Sequence, residues 1–126
     1  MTDAEFIRAL EDCTLTQEEF DHAGHLRAAY LYLQSGDFVE CLERMRRAIR
    51  NYAGSLGKPD RYHETITVAY VALIQQVLHE RGDGGGWTMF ARGAPELFEP
   101  GLLLKFYSAA QLESELARRI FVLPGS

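Results

Sequence analysis

RYHETITVAYVALIQQVLHE, residues 61–80, contains the longest apolar run of the chain and decides the fold class. Its β-branched residues are compatible with a strand, but the apolar run continues too far for one strand and no hairpin turn signal follows it. The stretch therefore predicts a helix from about Arg61 to Glu80, with Asp60 as its N-cap. Because apolar residues lie on nearly all sides of this helix, we expect it to be central and buried.

Helical patterns also occupy the rest of the sequence. Three stretches before residue 61 place apolar residues at three- and four-residue steps and open with capping residues, which are Thr2, Thr16 (with Glu19) and Asp37. After the glycine-rich segment 82–86, shorter patterns begin at Trp87, Leu102 and Ser108. The predicted fold class is all-α: one single-domain helical bundle, residues 1–126, with about four main helices plus short C-terminal helices.

Composition limits the classes of function. The chain of 126 residues is 47% hydrophobic and carries a net charge of −5, which suits one globular domain and argues against a nucleic-acid-binding protein. Residues 1–12 lack the features of a secretion signal, and no apolar stretch is long enough to cross a membrane. We expect a cytoplasmic protein in which Cys13 and Cys41, outside any CxxC pair, are free thiols, with Cys41 buried.

Three of the four histidines lie near the predicted starts of two helices. His22 and His25 form an HxxH pair whose members border the buried side of the second helix, and His63 points inward from the fourth. If these helices adjoin, the three imidazoles can bind one divalent metal ion and leave a position for water. The sequence predicts such a site without identifying the metal, which is zinc, iron, manganese or copper.

Two carboxylates and a phenol accompany these histidines. Glu19 forms an ExxH pair with His22 and is predicted as a further metal ligand. Glu64, next to His63, is predicted to act on bound water or to orient an imidazole, and Tyr62 to donate a hydrogen bond into the cavity. Structural roles stay open for all of them: HxxH pairs arise by chance, and Glu19 already belongs to a capping box.

Three segments resemble the signature blocks of a group of small, uncharacterised all-helical bacterial proteins. These proteins carry an HxxHL motif, a YHET motif and a carboxyl-terminal FVLP ending, which correspond here to FDHAGHLRAAYLYL (20–33), RYHETITVAYVALI (61–74) and LARRIFVLPG (116–125). The resemblance implies a shared fold and site, with His22, His25, His63 and Glu64 at motif positions, rather than a particular activity. Other members are more polar where this chain has Ala23-Gly24.

Three functional hypotheses follow. The first is a metal-binding protein, which as a metal-dependent enzyme would act on a small metabolite; whether it is an enzyme stays open. Arg27 and Arg61 are candidates to bind an anionic substrate. The second is a non-catalytic interaction module or accessory subunit, including a homo-oligomer, that uses the apolar cluster Phe98, Leu102, Leu103, Leu104 and Phe106. The third is a pocket that binds an organic ligand without a metal.

Overall fold

The computed structural model describes residues 1–125, and this range is entirely helical and irregular, with no strand. The predicted all-α class, with four main helices and shorter ones after them, is confirmed. The described chain forms two compact units, Met1–Tyr62 and a second that begins at His63. Within residues 1–125, no helix combines the length and the apolar character needed to cross a membrane.

The first unit consists of three α-helices and a short 3₁₀-helix. Their bounds are α1 Asp3–Glu11, α2 His22–Ser35, α3 Phe38–Ser55 and the 3₁₀-helix Pro59–Arg61. Helix α3 packs against both α1 and α2. The predicted caps of α1 and α3 are confirmed, since Thr2 and Asp37 both form capping boxes. The core of this unit includes Phe6, Leu10, Leu26, Tyr30, Cys41, Met45, Ile49 and Tyr52.

The predicted start of α2 at Thr16 is wrong. The Thr16 and Glu19 capping box does form, with the Glu19 amide donating to Thr16 Oγ1 over 3.1 Å, but it closes only a turn. Helix α2 begins at His22, where the carboxylate of Asp21 accepts from the Gly24 amide over 2.9 Å. A Cβ atom at Gly24 would lie 2.5 Å from the Glu19 carbonyl oxygen, so glycine allows the turn to press against the helix.

The predicted cap of α4 is also wrong. Asp60 belongs to the 3₁₀-helix, and α4 begins four residues after it, at Glu64. His63 is the N-cap: its Nδ1 accepts a hydrogen bond from the Ile66 amide over 3.1 Å. Histidine is not among the usual capping residues, which is why the pattern pointed to the aspartate instead.

The second unit surrounds α4 with short elements. Their bounds are α4 Glu64–Arg81, α5 Trp87–Gly93, the 3₁₀-helices Pro95–Phe98 and Leu102–Lys105, α6 Ala109–Glu113 and α7 Glu115–Arg119. The predicted last helix is divided because Ser114 ends α6 and caps α7, accepting from the Ala117 amide over 3.1 Å. Buried side chains of this unit include Thr65, Val68, Val71, Ile74, Val77, Phe90, Leu97, Leu102, Leu103 and Tyr107.

Candidate ligand site around His25

The imidazole of His25 has a fixed tautomer. It is half-buried on the first turn of α2, and its Nδ1 lies 2.8 Å from the backbone carbonyl oxygen of Asp21. Because a carbonyl oxygen can only accept, Nδ1 carries the proton, and Nε2 of the neutral ring keeps its lone pair. Phe20 stacks on the imidazole, with ring centroids 3.9 Å apart and planes inclined by 16°. The ring is thus held both by its edge and by its face.

Electrostatics keep this ring uncharged. Burial lowers the pKa of His25 below 6.5, and the neighbouring His22 acts in the same direction, while the contacts with Asp21 oppose the shift. His25 is therefore a neutral hydrogen-bond acceptor at neutral pH. A group in this state can accept a hydrogen bond, bind a metal ion or act as a general base.

His25 lines a cavity of about 310 Å³ within the first unit. Its walls are largely apolar and come from the turn before α2, from α3 and from the 3₁₀-helix. The other residues that line it are Gln17, Phe20, Ile49, Tyr52, Ala53, Leu56 and Arg61. Phe20, Ile49, Tyr52 and Ala53 are buried, whereas Gln17 and Arg61 are exposed, so the polar side chains lie towards solvent.

Each polar side chain of the cavity has a defined role in hydrogen bonding. Tyr52 donates its hydroxyl to the Leu15 carbonyl oxygen over 2.8 Å, which leaves its ring as the surface that packs. Arg61, which also lines the cavity, donates from Nη1 to Gln17 Oε1 over 3.3 Å, and this bond uses only one of the five N–H groups of its guanidinium. A cavity of this size, apolar with a few polar groups, is typical of small-molecule sites.

The other metal-ligand candidates of the first unit have different surroundings. His22, the first residue of α2, is exposed, so the prediction that it borders the buried side is wrong. Glu19 is exposed as well, and its Oε1 accepts from the Thr16 amide over 2.8 Å. Arg27, the other arginine proposed to meet an anion, binds Asp3 over 2.8 Å instead of facing the His25 cavity.

In the second unit, His63 and Thr65 hold the carboxyl-terminal segment. His63 uses Nδ1 to cap α4, and its Nε2 donates to the Leu112 carbonyl oxygen over 2.6 Å. Thr65, fully buried, donates its hydroxyl to the Ile120 carbonyl oxygen over 2.8 Å and accepts from the Val122 amide over 3.1 Å. The YHET and FVLP motifs are thus joined by hydrogen bonds, and a metal at His63 would have to replace one of its two.

Glu64 and Tyr62 are both buried, at 6% exposure each. Glu64 lies in the first turn of α4, where the helix dipole stabilises a carboxylate. The Arg50 guanidinium lies 4.6 Å from the centroid of the Tyr62 ring, a cation–π distance. Their catalytic roles stay predictions.

Metal binding by the predicted ligands, His22, His25, His63 and Glu19, also stays a prediction. Over residues 1–125, no group of three or more His, Cys, Asp or Glu side chains is arranged to hold a metal ion.

Two further surface features lie outside the His25 cavity. A cavity of about 510 Å³ along α1 contains Asp3, Arg8 and Glu11, but Asp3 already binds Arg27 and Glu11 accepts the Tyr32 hydroxyl over 2.7 Å. In the second unit, the predicted apolar interface is partly core: Leu102 and Leu103 are buried, Phe98 is half-buried, and Leu104 and Phe106 are exposed.

The sequence pointed to His25 and Arg61 but missed the residues that complete the cavity. Phe20 lies five residues before His25, across the start of α2, so helical spacing does not pair the two rings. Ile49, Tyr52 and Ala53 carry only a core signal, because the same apolar side of α3 forms both core and cavity wall.

The chain matches no model of a known protein family, no curated protein and no solved structure.

Proposed function

We propose that the first unit binds a small organic anion in the His25 cavity. One observation supports this most directly: a neutral imidazole of fixed tautomer and an arginine line the same cavity of about 310 Å³, whose buried walls are apolar. The apolar walls suit a hydrocarbon body, and the guanidinium suits a carboxylate or phosphate. The third hypothesis from the sequence, an organic ligand without a metal, is the one that this geometry favours.

The size of the cavity limits the ligand. About 310 Å³ lies at the low end of the usual range for small-molecule sites, roughly 300–1,000 Å³, so a single-ring compound fits better than a nucleotide. Arg61 is exposed, so its charge contributes only modestly to affinity, and the apolar contacts with Ile49, Ala53 and Leu56 must contribute the rest.

The test uses benzoate as the anionic probe and benzamide as its neutral counterpart of similar shape. We expect saturable binding of benzoate by calorimetry and weaker binding of benzamide. Arg61→Gln should weaken benzoate binding about two- to fivefold, the range for an exposed ion pair, and leave benzamide binding unchanged. Arg47→Gln is the matched control, because Arg47 pairs with Glu43 on the exposed side of α3 and does not line the cavity.

Either of two results would overturn the proposal. One is the absence of saturable benzoate binding at millimolar concentrations. The other is an Arg61→Gln protein that binds benzoate as tightly as the unmodified protein does, since the arginine would then not contact the anion.

A divalent metal ion on Nε2 of His25 is a second candidate. It is favoured by the hydrogen bond from Nδ1 to the Asp21 carbonyl oxygen, because metal-binding histidines commonly donate their other ring N–H to such a group. Elemental analysis of protein purified without a histidine tag, compared with His25→Ala, tests it. His79→Ala is the control, because His79 is exposed near the end of α4.

For a metal-binding protein, we expect near-stoichiometric metal that His25→Ala loses and His79→Ala retains. The same low metal content in all three proteins, after reconstitution with zinc, iron, manganese and copper, would contradict this second candidate and leave the first one untouched.

A further inference from the structure

The polar groups of the His25 cavity require different partners on a ligand. Arg61 brings N–H donors and a positive charge, whereas Nε2 of His25 brings only a lone pair. The hydrogen bond between Nδ1 and the Asp21 carbonyl oxygen fixes this assignment, because it directs the protonated nitrogen to the backbone and leaves Nε2 as the acceptor of a ring that lines the cavity.

Among the described residues, none donates a hydrogen bond to that lone pair. Over residues 1–125, the hydrogen bond made by the His25 ring is the one to Asp21, and Phe20 covers a face of the ring rather than its Nε2 edge. Tyr52, the residue of the cavity lining that carries a hydroxyl, donates it to the Leu15 carbonyl oxygen instead. A ligand that offers a donor can pair with this lone pair, whereas a ligand that covers it without a donor leaves it unpaired and loses affinity.

We propose that the anion bound in this cavity also carries a hydroxyl or N–H group, and that this group donates to Nε2 of His25. The inference rests on the proposed function, and it narrows the ligand class from organic anions to hydroxy- or amino-substituted ones of single-ring size. In that class the anionic group meets Arg61, the ring or chain lies against the apolar wall, and the donor reaches the imidazole. A substituent that only accepts hydrogen bonds is disfavoured at the same position.

Two pairs of probes measure how much a hydrogen-bond donor on the ligand contributes to binding. The compounds 3- and 4-hydroxybenzoate are compared with 3- and 4-fluorobenzoate, which have the same charge and a substituent of similar size that cannot donate. We expect at least one hydroxy compound to bind about three- to tenfold more tightly than its fluoro counterpart, the range for one neutral hydrogen bond. The Kd values are measured by calorimetry at pH 7.5, where His25 is neutral.

A change at His25 completes a double-mutant cycle between ligand and protein. His25→Leu keeps an apolar side chain against Phe20 and removes the acceptor, so the hydroxy and fluoro compounds should bind with a ratio of Kd values near one. His22→Leu, on the exposed side of the same helix turn, is the control and should retain the preference.

A second measurement uses the unmodified protein, in case His25→Leu does not fold. In long-range ¹H–¹⁵N spectra of the histidine rings, Nε2 of His25 should shift when the preferred hydroxybenzoate binds and stay nearly unchanged with the matched fluorobenzoate. Nδ1 should remain protonated in both complexes, because it stays bonded to Asp21.

The outcomes separate the two proposals. A hydroxy preference that disappears in His25→Leu, or an Nε2 shift specific to the hydroxy compound, supports the inference. Benzoates that bind with no difference between hydroxy and fluoro compounds overturn the inference and leave the anion site intact. If none of the benzoates binds, both the inference and the proposed function are wrong.

Discussion

Replacing Thr65 by valine tests how the second unit holds its carboxyl-terminal segment. The substitution keeps the shape of a fully buried, β-branched side chain and removes only the hydroxyl. That hydroxyl makes two hydrogen bonds, to the Ile120 carbonyl oxygen over 2.8 Å and from the Val122 amide over 3.1 Å. Thr65→Val therefore removes both bonds without creating a cavity.

The expected loss follows from these two bonds. Each neutral hydrogen bond contributes about 1 kcal/mol net, so the pair amounts to about 2 kcal/mol of the free energy of unfolding. Larger penalties for buried unpaired groups do not apply in full, because Ile120 is exposed and Val122 is half-buried. Urea unfolding followed by the fluorescence of Trp87, the one tryptophan of the chain, reports on the second unit. The transition midpoint should fall by about 1–2 M.

Thr67→Val is the matched control. The Thr67 hydroxyl donates over 2.8 Å to the His63 carbonyl oxygen, which also accepts from the Thr67 amide over 3.1 Å and so keeps a partner. We expect Thr67→Val to lower the free energy of unfolding by less than about 1 kcal/mol. Equal losses for the two variants, or a Thr65→Val protein within about 0.5 kcal/mol of the unmodified one, would refute the role given to Thr65.

Three further predictions concern the first unit. Gly24→Ala should destabilise it by about 1–3 kcal/mol in urea unfolding, because the added Cβ meets the Glu19 backbone. Gly54→Ala, with open space around it, should stabilise it by up to ~1 kcal/mol, and a Gly24→Ala protein more stable than Gly54→Ala would contradict the close approach of the turn to α2. Because burial lowers the pKa of His25 below 6.5, the unfolded chain takes up this proton first as the pH falls. The free energy of unfolding should thus drop below about pH 6.5, and His25→Gln should flatten that drop between pH 7.5 and 5.5; an unchanged profile would count against the shift. Burial also raises the pKa of the Cys41 thiol to about 12, so a thiol reagent at pH 8 should modify half-buried Cys13 only, and rapid modification of Cys41 without denaturant would be the contrary result.

The fold class and most helices could be predicted because they depend on local signals. Periodic apolar residues and the capping residues Thr2 and Asp37 identify α1 and α3 without any knowledge of their neighbours. The starts of α2 and α4 could not be predicted in the same way. In each case, the residue predicted as the cap, Thr16 or Asp60, belongs to a separate turn before the helix proper, and another residue, Asp21 or His63, caps the helix.

The candidate site was less accessible to sequence reasoning. The HxxH spacing drew attention to His25, but the same spacing assigned His22 to the buried side, where it does not lie. His63 caps α4 and also binds the Leu112 carbonyl oxygen, a contact 49 residues away in the chain that helical spacing does not predict. The cavity forms where the turn before α2, helix α3 and the 3₁₀-helix pack together. The spacing of residues in a sequence does not predict which segments pack against each other.

The most direct measurement of the central claim is a benzoate titration of ¹⁵N-labelled protein followed in ¹H–¹⁵N correlation spectra. Binding in the His25 cavity predicts saturable shifts that cluster at the amides of residues such as His25, Ala53, Leu56 and Arg61, all of which line it. The absence of saturable shifts, or a cluster around Leu103 and the other residues lining the smaller cavity of about 170 Å³ in the second unit, would contradict the claim.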